Sequence, residues 1–148
     1  MSKMSKIKLE FRVPKHGWLP TTFECEDFEL DIVVSDVPVN PISQLCDSLI
    51  QLAKGIKSPD KVLLHLEPYC YYLQLKRLKD RYVVIILEAE GIGIAREETF
   101  QIEGDFDTIV LPVYRGIKKF ASQAYKPPHW EAIPQERIIE LKRVIKQM

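Results

Sequence analysis

The residue pattern predicts a single α+β domain, with a mostly antiparallel sheet of five to six strands and three helices packed largely on one face (order β-β-α-β-β-β-β-α-α). Three observations carry that prediction. Apolar residues alternate with polar ones in short stretches bounded by proline- and glycine-bearing turns, the period-two signature of strands. After Asn40, and again in the last third, the apolar spacing changes to three and four, as one face of a helix requires. Connections between successive strands are too short for crossovers, so neighbouring strands run antiparallel and the helices cover a face.

Ile7, Leu9, Phe11 and Val13 alternate with Lys8, Glu10 and Arg12, a half-buried strand that Pro14 ends. Residues 15–26, holding Gly17 and Pro20, read as a long connection. Phe28, Leu30, Ile32 and Val34 form the inner side of a second strand. If these two strands pair, Lys8 and Arg12 face Glu29 and Asp31, cross-strand pairs that help choose register. Asp36-Val37-Pro38 then leads into a helix over Asn40–Gly55. Asn40 is a good N-cap and Pro41 fits the first helical position, while Ile42, Leu45, Cys46, Leu49, Leu52 and Ala53 share one face and Gly55 is the stop.

A third strand holds Val62, Leu64 and Leu66 and is interrupted at Glu67-Pro68. The fourth has Tyr69, Tyr71, Leu73 and Leu75 on one face and Cys70, Tyr72, Gln74 and Lys76 on the other. Tyr82–Ala89 is apolar on both faces, as expected of a central strand covered on both sides. Thr99–Glu103 reads as a shorter, peripheral strand. Ile109, Val113, Ile117, Phe120, Ala121 and Ala124 then fit a helix whose start lies between Asp107 and Leu111, because Pro112 must fall in its first turn or kink it. Residues 125–134 form a loop, and Pro134 opens a last helix carrying Ile138, Leu141, Val144 and Ile145. Its acidic first turn and basic end suit the helix dipole.

A chain of 148 residues with 46% hydrophobic and 28% charged residues has the composition of one ordinary globular domain. Basic and acidic residues number 21 each, so no global attraction to nucleic acid or anionic lipid is expected. The charge is uneven, however: residues 1–15 sum to +4, 16–53 to −7, 54–110 to −2 and 111–148 to +5. An acidic third of this kind would suit a protein partner with a basic surface. Cys25, Cys46 and Cys70 are far apart and lack C-x-x-C spacing, which points to neither a disulfide framework nor a zinc site. With no apolar leader and no run of transmembrane length, a cytoplasmic setting is the expectation.

No nucleotide, phosphate-loop, serine-hydrolase or zinc-protease motif occurs; Gly91-Ile92-Gly93 lacks the third glycine and is read as a turn. No catalytic residue, cofactor or metal is therefore assigned. His16, His65 and His129 have no ligand spacing. The pair of stretches that stands out is His16-Gly17-Trp18 and His129-Trp130, each a tryptophan beside a histidine in a proline-bearing loop, and tryptophan dominates binding hot spots. An alternative pocket is formed by His65, Glu67, Tyr69 and Tyr71, where an aromatic enclosure would raise the carboxyl pKa. Arg115, Lys118 and Lys119 form a solvated helix face without aromatic interleaving, so nucleic acid is not expected. The functional expectation is a non-enzymatic protein-binding module, such as an accessory subunit or an inhibitor or immunity-type protein. A small-molecule-binding domain or unrecognised enzyme using the aromatic pocket is the alternative. The amphipathic terminal helix also leaves room for a homo-oligomer.

Overall fold

The computed structural model describes residues 6–123 and 125–148. Seven strands form one antiparallel sheet in sequence order: β1 (Lys8–Phe11), β2 (Trp18–Cys25), β3 (Phe28–Ser35), β4 (Val62–His65), β5 (Cys70–Leu78), β6 (Arg81–Ala89) and β7 (Glu97–Gly104). Helix α1 (Pro41–Ala53) joins β3 to β4, and α2 (Leu111–Ala121) and α3 (Gln135–Lys146) follow the sheet. Among the described residues no helix is long and apolar enough to cross a membrane.

The sheet has seven strands, where the pattern predicts five to six. The additional one is β2, in the stretch read as a connection. Pro20 lies inside it and is tolerated for a local reason. Its carbonyl accepts the Arg12 amide N–H at 2.9 Å, and its missing donor falls where the four-residue β1 has already ended. The first and second predicted strands consequently do not pair; β2 lies between them, with Lys8 opposite Glu24 and Glu24 opposite Glu29. Arg12 still reaches across β2 to Asp31, at 3.0 Å, and also contacts the Thr22 hydroxyl on the way. β7 is longer than expected, eight residues, and sits at the sheet's edge. The turn between β5 and β6 is Lys79-Asp80.

β3 and β4 share a single paired position, Ser35 with His65, and the sheet bends there. Across the bend Phe28 of β3 stacks on Phe100 of β7, with centroids 4.4 Å apart and planes 12° from parallel. The inner faces of all seven strands thus wrap one core, closed by the three helices. Val62, Leu64, Leu73, Leu75, Val84 and Ile86 face inward, whereas Leu63, Cys70, Tyr72 and Ala89 make a small cluster on the outer face. On β6, Tyr82, Val84 and Ile86 belong to the inner core, and Ala89, with Leu87 against it, to the outer cluster. Asn40 caps α1 by accepting from the Ile42 and Ser43 amides, and Gly55 takes the left-handed conformation after it, at φ 96°. The start of α2 is settled by a capped wide turn, Phe106–Val110, which runs into the helix with Pro112 in its first turn. Ala124, assigned to that helix face from spacing, lies outside the described residues. The apolar face of α3, with Leu141, Val144 and Ile145, is taken up by the chain's own core. A small apolar cavity between α1 and the sheet measures about 10 Å³, at most one water's worth. The core holds no ligand-sized space there.

Candidate functional site

The two histidine–tryptophan stretches meet. Lys15 and Trp18 exchange backbone hydrogen bonds at 2.9 and 3.0 Å, closing a two-residue hairpin turn with His16 at φ 51° and Gly17 at φ 81°. Positive φ at both central positions matches the twist of flanking strands and favours glycine at the second. The turn is tied down from outside. The Gly17 amide donates to the His129 carbonyl at 2.9 Å, the His16 amide donates to His129 Nδ1 at 3.3 Å, and the Asp36 amide donates to the Gly17 carbonyl at 2.9 Å. The two imidazoles lie 4.8 Å apart. Asn40 joins the same end by donating to the Glu131 carbonyl at 3.3 Å while capping α1.

The two indoles differ in setting. Trp130 is 1% exposed, packs edge-on against Phe120 with centroids 6.2 Å apart, and its Nε1 has no hydrogen-bond partner among the described residues. It is a core side chain under its loop. Trp18 begins β2 on the outer face and is 37% exposed. Register places Ser35 and then His65 in the row beside it, and Val33 on the diagonal next to Pro20. Beyond Ser35, Val37 and Val39 are exposed as well. Trp18 and Val33 are thus exposed apolar residues on the outer face, and exposed Val37 and Val39 follow Ser35 in the chain, with His16, His65 and His129 at the same end. His65 is oriented by a 2.9 Å contact between its Nδ1 and the Val37 carbonyl. A groove of about 460 Å³ lined by Val13, Pro14, Lys15, Tyr125, Lys126 and His129 opens from the same turn.

The valines belong to no motif. Val33 was legible as an outward position of its strand, but its exposure signals something only beside Trp18, and Trp18 faces outward only because β2 exists.

The alternative residues divide between faces. Strand pairing puts His65 opposite Cys70 on the outer side, whereas Tyr71 lies opposite Leu64 on the inner side. Tyr69 and Tyr71 meet edge-to-face at 5.4 Å, and the Tyr69 hydroxyl donates to Glu88 at 2.7 Å. That hydrogen bond to a carboxylate pushes the Tyr69 phenol up to about 12. Glu67 sits exposed in the turn at φ 58°. A tyrosine–carboxylate pair stands here in place of a convergent four-residue pocket. Among the described residues no group of three or more His, Cys, Asp or Glu is placed to hold a metal ion.

The acidic third is partly neutralised within the fold. Asp31 pairs with Arg12 and Asp47 with Arg137. Glu26, Asp27 and Glu29 remain exposed at the tip of the β2–β3 hairpin, at the opposite end of these strands from Trp18.

No protein-family model, curated protein or solved structure matches the chain.

Proposed function

We propose that the chain is a protein-binding module of the accessory-subunit, inhibitor or immunity type, and that it binds through the Trp18 end. The observation that carries this is a partly exposed tryptophan on a stapled turn, with exposed Val33 on the next strand and exposed Val37 and Val39 in the segment that follows it. Exposed apolar strips rimmed by polar groups mark interaction sites, and a pre-ordered aromatic anchor gives contact area at little entropic cost. The turn is held by three hydrogen bonds from two other segments, so little ordering remains to be paid on binding.

The test is a pull-down and size-exclusion run in native lysate with wild type, Trp18→Ala and Val37→Asp. Both variants should melt like wild type and lose the co-eluting partner. Trp130→Ala should instead unfold at lower temperature, its large buried ring costing about 3–5 kcal/mol. Free protein only, unchanged by Trp18→Ala, would contradict the reading.

The Tyr69–Glu88 pair supports a second reading, a small-molecule site near Tyr71. A thermal-shift screen against metabolites separates the two, since a saturating ligand raises the melting temperature. A response abolished by Tyr69→Phe would favour the second reading.

A further inference from the structure

Cations from the two segments that carry the chain's excess positive charge come together beside the edge strand β1. A cleft of about 280 Å³ opens there between β1 and α2, and its walls include Lys6, Lys8, Arg115 and Lys119 together with Glu10. All four cations are exposed, while Glu10 is half-buried. Glu10 lies 3.9 Å from Lys119 and 3.8 Å from Arg12, so it braces Lys119 without cancelling the cluster. Four cations and one carboxylate leave the lining at +3. Spacing along the sequence offers α2 no basic strand as a neighbour; the fold provides one.

The floor of the cleft is backbone. The Arg12 amide donates to Pro20, which by antiparallel alternation turns Glu10 and Lys8 toward β2 and turns the Leu9 N–H and carbonyl away from it, toward α2. Ile7 shows the same direction by donating to the Thr108 carbonyl at 3.5 Å. α2 comes this close because Gly116 has no side chain: a Cβ there would fall 2.8 Å from the Leu9 carbonyl oxygen. The helix therefore blocks the edge against an added strand and leaves a short, one-sided cleft.

We propose that this cleft binds a small phosphate-bearing ligand, seating a di- or triphosphate group among Lys6, Lys8, Arg115 and Lys119. Clustered like charges repel one another, and a compact multivalent anion removes that repulsion. Arg115 supplies the planar fork that matches phosphate oxygens and the lysines supply point charges. The volume sits near the lower end of small-ligand pockets, about 300 Å³. An acidic peptide strand is disfavoured by the blocked edge, and a nucleic-acid strand by the lack of any aromatic ring in the lining on which bases stack.

The test is calorimetry on the full chain with pyrophosphate and tripolyphosphate at low salt. Saturable binding is expected, weakened about tenfold or more by Lys8→Glu or Arg115→Glu. Glu10→Gln should bind at least as tightly as wild type, and Lys142→Glu, the same charge change on the exposed side of α3, should leave affinity unchanged. Thermal melts confirm that the surface variants fold. Absence of binding to either polyphosphate overturns the proposal. So does an equal loss in Lys142→Glu, which would mean attraction to net charge alone. Tighter binding of oligoglutamate or of a short DNA duplex than of tripolyphosphate would likewise overturn it, in favour of a macromolecular partner.

Discussion

At the head of the helical C-terminal third, Asp105 accepts the Thr108 amide N–H at 2.9 Å, and the Thr108 hydroxyl accepts the Asp105 amide N–H at 3.1 Å. This reciprocal cap satisfies donors that a helix start would otherwise leave unpaired. The bond from the Thr108 amide holds the Asp105 carboxyl below its ordinary value, as the Arg12 and Thr22 hydrogen bonds do for Asp31 and the Lys54 hydrogen bond does for Glu140. Carboxyls lowered in the folded state stabilise it above their unfolded pKa, about 4, and lose that contribution as pH falls through the folded value. Urea unfolding of wild type and Asp105→Ala should thus show a difference that is full at pH 7 and shrinks below about pH 4. A difference independent of pH would show that the carboxylate's charge plays no part. At this scale the caps Asn40 and Gly55 were readable from residue type alone. The fates of Trp18 and Trp130 were not, because two similar histidine–tryptophan stretches differ only in whether the ring falls on the outer face of a strand or beneath a loop.

α1 is the element whose bounds the sequence states most directly, since cap, proline, apolar stripe and terminal glycine all agree. Asn40→Ala should cost about 1 kcal/mol of stability, by loss of the bonds to the Ile42 and Ser43 amides. α2 tests a different balance. Gly116→Ala gains about 1 kcal/mol of helix propensity, but the new methyl meets the backbone oxygen of Leu9, and overpacking costs about 1–3 kcal/mol. Backbone cannot step aside as a flexible side chain would, so a net loss is expected in thermal or urea unfolding; a more stable variant would show that α2 can slide off β1. β2 was the element least legible. Pro20 and Gly17 are turn residues by type, and only the early end of β1 makes a proline harmless in that strand. Once β2 is present, the outward positions of Trp18 and Val33 follow from simple alternation.

Across the whole molecule, the strict order of strands gives the sheet two ends and the bend at Ser35–His65 folds them over one core. The uneven charge of the chain becomes a spatial pattern: a basic cleft along β1 and α2, an acidic hairpin tip at Glu26–Glu29, and exposed apolar residues with the three histidines at the Trp18 end. Sequence blocks revealed that charge was segregated, but not which blocks would touch, since Lys8 and Arg115 lie more than a hundred residues apart. The central claim is that the Trp18 end is a partner-binding surface. It is tested most directly by placing a photo-crosslinking residue at position 18, 33 or 37 in the producing cell, with exposed Leu78 as the control position. One discrete crosslinked protein, shared by positions 18, 33 and 37 and absent at Leu78, is expected. No discrete product at these positions, or the same products at Leu78, would contradict the claim.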